Sequence, residues 1–423
     1  MTDQSFDNLE EQLRTDRRLG KARRRRRRIK KLLPCAIVLG VLAVIAAVVW
    51  LTRDQEPVQT EPSASGSASA TINFVGDINL DRNMMQAFRV GGDYDFLPLF
   101  RRITTRLASA DLTVGNLEGN MTGTDNISDH NYPPALLRDL YTIGFDVLQT
   151  ANSYSIQNGI SGLTATKQAI QNAGISPLGT WTSKEDREEN GVLIREVNGI
   201  RFAFLAFTKG MNNLRLPEGA DYCVNLLYQD YDTNYSKLDR AAITAAVEQA
   251  QACSPDVIIA MVHWGSEYDR EIAASQKDAA ELLFSCGVHL IVGSHSHYVG
   301  PMELNNLEIE PLFGGNFIAY SLGDFVSVAD TSTARNGCIL CVSFLKKDGK
   351  VSIQQVQYTP TYSAEPSESL GIRSYEVFDT LDAIAFYNQE YYDRVSERLY
   401  EKLVSAVEKM KEQTGLGELQ TSR

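Results

Sequence analysis

The stretch His289–Gly300, "HLIVGSHSHYVG", ends an apolar run in a glycine and then sets two histidines two residues apart, His295 and His297. In open α/β sheets ligands bind just beyond the carboxyl ends of strands, so polar residues placed there have first claim on function. The same texture recurs along the chain: "TINFVG" (71–76), "ADLTVG" (110–115), "FDVLQT" (145–150), "RFAFLAF" (201–207), "PDVIIAMV" (255–262) and "NFIAYSLG" (316–323). Helical patterns lie between these runs at 133–143, 163–173, 237–252 and 272–285. Short strands apolar on both faces, alternating with helices, predict an α/β fold whose sheets are covered by helices. After about Val351 the pattern weakens, and 379–411 reads as one long amphipathic helix or a broken pair.

Each apolar run delivers something at its end. The first gives Asp77, the second Asn116 and Glu118, and the third Asn152 followed by Tyr154. "DVIIAMVHWGSEY" gives His263 and Glu267, "HLIVGSHSHY" gives His295 and His297, and "IAYSLGDF" gives Asp324. Three of the five histidines in the chain thus follow strands, in company with carboxylates and an asparagine. Imidazoles mixed with carboxylates suit Zn, Mn or Fe better than Ca, which prefers an all-oxygen shell. A pair of such ions would polarise a phosphoryl oxygen and activate water, so phosphoester hydrolysis is the chemistry these residue types support. His130, in a polar loop, and His289, inside its strand, read as structural. A Ser-His-Asp nucleophile is the competing arrangement. No G-x-S-x-G elbow is present, and Ser294 and Ser296 sit among the histidines without a nucleophile turn.

The beginning of the chain has a different character. Leu32–Leu51 is a run of apolar residues without a charge, long enough to span a bilayer as a helix, with Trp50 suited to the interface. Residues 1–33 carry twelve Lys or Arg against five acids, a net +7, which leaves −19 of the total −12 for residues 34–423. The positive-inside rule then predicts a single-pass cell-membrane protein with a cytoplasmic N-terminus and an extracellular main domain. Expected boundaries are a basic tail (1–31), a transmembrane helix acting as signal anchor (32–51), a Pro/Ser-rich flexible linker (52–70), the α/β domain (71–360) and a C-terminal helical extension (361–423). An exterior this acidic excludes nucleic-acid binding through bulk charge, and an anionic ligand would need a local positive site. Five cysteines lie outside the span without framework spacing. Cys338 and Cys341 stand three apart in a strand pattern, hence on opposite faces, which predicts free thiols.

Taken in order, the motifs "GDINLDR" at Asp77, "VGNLEG" around Glu118, "ANSYSIQNG" from Ala151, "HWGSEY" from His263, "GSHSHYV" from Gly293 and "YSLGDFV" from Tyr320 make the sequence resemble the CapA family. These are poly-gamma-glutamate capsule biosynthesis proteins whose domain is similar to the metallophosphoesterase (calcineurin-like) fold. The resemblance spans Thr71 to about Val328. It implies a two-sheet sandwich flanked by helices, and a role in synthesis or export of poly-gamma-glutamate or a similar anionic polymer, alongside synthase components. It also implies a divalent-metal site of Asp77, Glu118, Asn152, His263, His295 and His297, with Glu118 in the bridging position. Asn116, Arg82 and Glu267 are expected to meet substrate, and Tyr154 and His263 to occupy the catalytic positions. Tyr154 stands where the family usually has a histidine, Asp324 where it usually has asparagine, and Asn79 where phosphoesterases place a second histidine. A tyrosine, with an ordinary pKa near 10, donates a hydrogen bond but shuttles protons poorly at neutral pH. Three readings follow: a membrane-anchored accessory protein of polymer assembly, an extracellular metal-dependent phosphoesterase or hydrolase, and a binding domain with a remnant site.

Overall fold

The computed structural model describes residues 67–123, 127–305, 316–327, 334–366, 368, 374–390 and 395–416. The basic tail, the apolar run 32–51 and most of the linker lie outside the described residues. Among the described residues no helix is long and apolar enough to cross a membrane.

β1 (Ala68–Ile78) leads into a small separate hairpin, β2 (Arg89–Val90) and β3 (Asp93–Tyr94), and then into β4 (Leu112–Leu117), β5 (Val147–Gln149) and β6 (Ser176–Leu178). A second sheet follows from β7 (Leu193–Val197), β8 (Ile200–Thr208), β9 (Val257–His263), β10 (Leu290–Ser294), β11 (Met302–Asn305) and β12 (Asn316–Ala319). The chain then returns to the first sheet with β13 (Asp324–Val326), β14 (Asn336–Lys347), β15 (Lys350–Ala364) and β16 (Glu376–Asp379). The first sheet has the order β16-β15-β14-β1-β4-β5-β6, with β13 also pairing β1, and the second has the order β11-β12-β10-β9-β8-β7. The centre of each sheet is parallel: β1-β4-β5-β6 in one, β8-β9-β10-β12 in the other.

Period-two alternation explains how short apolar runs build two sheets with three apolar layers. In β9, Val257, Ile259 and Met261 face the layer between the sheets, while Ile258, Ala260 and Val262 face the helices Arg240–Ala252 and Ala274–Ser285. In β14, Cys338, Leu340, Val342 and Phe344 enter the inter-sheet layer and Ile339 the opposite one. Cys338 is buried and Cys341 partly exposed. All five described cysteines are free, as their spacing predicts. Met84, Leu136, Leu140 and Ile170, from helices Arg82–Ala87, Ala135–Thr142 and Gly159–Asn172, cover the outer face of the first sheet. The result is the predicted two-sheet α/β sandwich between helices.

The edges depart from expectation. β1 begins within the segment read as linker, since Ala68–Ala70 pair with Lys346–Phe344 of the long strand β14. β15 runs through Pro360 to Ala364, and β16 pairs with it at Thr361↔Asp379. Residues after 360 therefore supply a sheet edge as well as helices. β15 reads "KVSIQQVQYTPTYSA", half-exposed and polar over much of its length, which hides it from an apolar-run search. The broken pair is what forms at the end: helices Thr380–Asn388 and Glu397–Thr414, with Leu399 and Leu403 packing on Tyr362 and Phe378.

Candidate metal centre

The strand ends converge because two close backbone approaches permit it. A Cβ on Gly76 would overlap the Gly323 carbonyl, and one on Gly293 would overlap the Tyr320 carbonyl. With only hydrogens at those positions, Asp77 comes into register with Asp324 and with Asn116 across β1. Four non-glycine residues at the site, His130, Tyr268, His295 and His297, hold left-handed φ values of 57°, 58°, 94° and 58°. Such conformations are costly for L side chains and persist only where surrounding structure enforces them. Here they turn imidazoles and a phenol into the cleft.

Asp77, Glu118, Asn152, His263, His295 and His297 are all buried. Their donor atoms form two groups, Glu118 with His263 and His295, and Asp77 with Glu118 and His297. Within each group the donor atoms lie within 4.8 Å of one another, and Glu118 is common to both. The Asp77 carboxylate accepts from Asn116 Nδ2 at 2.7 Å and from the His295 backbone N–H at 3.0 Å. Asn152 donates through Nδ2 to Asn116 Oδ1 (3.0 Å) and to the Leu117 carbonyl (2.8 Å), while its Oδ1 accepts the Tyr154 N–H at 3.0 Å. His263 Nε2 lies 3.5 Å from Glu118 Oε1 and 3.0 Å from the Ser153 hydroxyl, and its Nδ1 lies 3.0 Å from the Ser294 hydroxyl. His297 Nδ1 meets Asp324 Oδ1 at 2.8 Å.

Among the described residues, the buried side-chain polar atoms that lack a partner include two of this cluster, Glu118 Oε2 and His295 Nε2. Orphaned buried groups cost free energy, and they are the donors a cation between these side chains would satisfy. The electrostatics agree. Burial, then the charge of Asp77, lifts Glu118 well above the carboxylate range, and burial together with Asp324 raises Asp77 to about 6. Burial holds His263 and His295 well below their ordinary value, so both stay neutral as metal ligands must. The His263–Glu118 contact is thus one with a neutral imidazole rather than an ion pair. Burial pulls His297 down too, but Asp324, Glu118 and Asp77 outweigh it and raise it to about 10. Three buried carboxyl groups crowd one cationic imidazole, and their raised pKa values reflect a site short of positive charge. The donor set fits a divalent cation of the Zn, Mn or Fe type.

Not every expected site residue faces the cleft. Asn116 is fully buried beneath the cluster, with its amide bonded to Asp77 and Asn152, so it braces ligands rather than meeting substrate. Arg82 is exposed at the start of helix Arg82–Ala87. Its backbone N–H bonds Asp129, and no bond joins its side chain to the cluster among the described residues. Glu267 is exposed at the rim, close enough to push the Tyr154 and Tyr268 phenols upward. Tyr154 is half-buried, and burial with the charges of Glu118 and Glu267 holds its hydroxyl protonated. Sequence reasoning missed four neighbours: Ser153 between two histidines, His130 stacked 3.7 Å from the Tyr154 ring, Tyr268 stacked 4.7 Å from His297, and Lys209 beyond β8. Lys209 alone carried a legible signal, a charge directly after an apolar strand.

A family model described as "Bacterial capsule synthesis protein PGA_cap" matches residues 71–329, most of the α/β core and every strand end in the cluster. The chain belongs to this family. Among curated relatives of this PGA_cap member, the capsule biosynthesis protein CapA of Bacillus anthracis is 26% identical over 69% of this chain and 67% of that one. The PGA biosynthesis protein CapA of Bacillus subtilis (strain 168) is 25% identical over 73% of this chain and 76% of that one. Among solved structures, the calcineurin-like phosphoesterase YfkN from Bacillus subtilis aligns at a TM-score of 0.40 and 14% identity, over 70% of this chain and 91% of that chain. The architecture of this PGA_cap domain rests on its own strand order and register, described above.

Proposed function

We propose that this PGA_cap protein is a membrane-anchored participant in the synthesis or export of poly-gamma-glutamate or a similar anionic capsule polymer, and that it holds divalent metal of the Mn, Zn or Fe type in a metallophosphoesterase-like site. The observation that carries the metal reading is Glu118, a buried carboxylate shared by two donor groups, with one oxygen unpartnered, as is Nε2 of His295 in the same group. The polymer reading is supported by family membership and by the two CapA relatives. In this reading residues 32–51 anchor the chain, 52–70 tether it, and the acidic domain works on the outer face beside synthase components.

Asp77, Glu118, His263, His295 and His297 would hold the metal, with Asn152 alongside. A bound divalent cation supplies Lewis acidity toward an anionic oxygen and activates water. The residues of the chain do the rest. Asp324 fixes the His297 ring through Nδ1, leaving Nε2 free of that contact, and Ser153 spans His263 and His295. Tyr154, protonated and half-buried, offers a hydrogen-bond donor at the mouth.

The sharing of Glu118 also favours a second reading, an extracellular metal-dependent phosphoesterase. Tyr154 weighs against fast turnover, because a phenol held protonated is a weak acid and no base at neutral pH. Elemental analysis of the full chain in detergent tests the site: at least one Mn, Zn or Fe per chain is expected, and no uptake on addition would remove both metal readings. Deleting the gene and assaying surface polymer tests the role. An unchanged polymer layer, together with rapid phosphodiester turnover abolished by His263→Ala, would replace the first reading by the second.

A further inference from the structure

β8 ends at Thr208, and the next residue carries a cation to the end of the sandwich where the donor cluster sits. The Lys209 backbone N–H bonds the His263 carbonyl at 2.8 Å, which locks it beside a cluster histidine. Its Nζ donates to the Gly265 carbonyl at 2.6 Å and lies 5.0 Å from the Tyr235 ring centre. Among the described residues no carboxylate lies within ion-pair distance of Nζ. An ammonium has three donors, and the contacts seen take one donor and one aromatic face. The charge is near enough to help hold His263 and His295 neutral.

The chain that follows turns back on the same side. Asn212 and Asn213 both adopt left-handed φ, 51° and 60°. The Tyr235 hydroxyl donates to Asn213 Oδ1 at 3.2 Å, and the neighbouring Asn212 side chain lies close enough to the Tyr154 hydroxyl to offset part of its upward shift. Lys209 is thus tied through Tyr235 to the Asn212–Asn213 turn, whose Asn212 approaches Tyr154. A half-buried ammonium whose nearby carboxylate, the exposed Glu267, stays beyond ion-pair distance is a local positive site of the kind an anionic ligand requires.

We propose that Lys209, with the Tyr154 hydroxyl and the Asn212 side chain, forms an oxyanion-binding pole beside the metal centre, taking a carboxylate or phosphate oxygen of the substrate. This rests on the metal reading, since without cations the carboxylates would repel such a ligand. The pole sets substrate class: it selects a ligand that is anionic a short distance from the group facing the metal. A competing role for Lys209 is a strut between β8 and β9 through Gly265. Lys209→Gln keeps a donor for that carbonyl while removing the charge.

The test uses the full chain in detergent, loaded with Zn or Mn, and calorimetric titration with inorganic phosphate and, separately, with glutarate. Wild type is expected to bind at least one probe, and the one it prefers tells a phosphoryl from a carboxylate ligand. Lys209→Gln is expected to keep its metal and thermal midpoint but lose about tenfold or more in affinity for that probe, as for a lost charged hydrogen bond. Lys209→Arg is expected to recover most of the loss. Unchanged affinity in Lys209→Gln with metal retained would overturn the pole and leave the metal reading standing. Loss of metal in Lys209→Gln would make the lysine structural, and failure of the wild type to take up metal would remove both.

Discussion

His297 Nδ1 lies 2.8 Å from Asp324 Oδ1, and both side chains are buried. This contact holds the imidazole beside Asp77 and Glu118, the other members of its donor group. A carboxylate behind a ligating histidine fixes its tautomer and raises its basicity, and loss of such a partner typically costs 10–100-fold in metal affinity. Asp324→Asn is expected to weaken metal retention by about tenfold or more while leaving the circular dichroism spectrum unchanged. Competition with a chelator of known affinity checks it, and equal retention would refute the positioning role.

Protons and metal compete for the same atoms. Asp77, raised to about 6, and His297, raised to about 10, must both give up protons to ligate, so metal affinity should fall as pH drops through 6 and uptake should release protons. For these two groups in the metal-free protein the sign is opposite. A carboxyl whose folded pKa is raised favours the native state as pH falls toward its ordinary value of 3.8, and a raised histidine contributes stability below 6.5 that is lost as pH approaches 10. His263 and His295, held well below their ordinary value, act the other way and cost stability as pH falls below 6.5. The decisive measurement is therefore metal retention, which by equilibrium dialysis should be lower at about pH 5.5 than at about pH 8.

Gly76→Ala places a methyl group against the Gly323 carbonyl, which must move for the side chain to fit. Because Asp77 and Asp324 follow those two glycines, the displacement separates the donors. The expected result is a folded protein with impaired metal uptake or, if β13 cannot shift, one destabilised by about 1–3 kcal/mol from overpacking. Denaturant titration and metal analysis of the same sample distinguish the two, and a variant normal in both would refute the close-approach argument.

Phe344 of the first sheet meets Phe202 of the second edge-on at 5.1 Å between ring centres, within the inter-sheet layer. Phe344→Ala should cost about 3–5 kcal/mol in unfolding free energy, with no effect on metal stoichiometry in the fraction that remains folded. A cost below about 1 kcal/mol would mean that the layer relaxes into the space.

Tyr154→His tests the chemistry directly. With the phenol in place, phosphodiester turnover should be slow. Histidine at that position, beside His130, should raise it by about 10²-fold if proton transfer to the leaving group is what limits the site. No gain, with metal bound, would count against the hydrolase reading.

The sequence by itself determined the layers and which polar residues stand at strand ends. Apolar runs such as "PDVIIAMV" and "VHLIVG" bury both faces, and polar residues can only be tolerated where such strands end, so Asp77, Glu118, His263, His295 and His297 were legible as a strand-end set. Each was a weak signal alone, and the family resemblance joined them into one site. Strands with a solvent face were not. β15 mixes Gln, Thr and Tyr with its apolar residues, and only pairing with β14 and β16 makes it a strand. Tertiary structure alone decided which polar residues meet across the chain. His130, far from the other histidines in sequence, stacks on Tyr154. Asn116 turns downward to brace Asp77, Lys209 arrives from the opposite sheet, and Glu118 ends up shared. A strand pattern specifies the face on which a side chain emerges and the end at which it emerges. Its distance from another strand's residues is set by the packing of the two sheets and by the glycines that let their backbones approach.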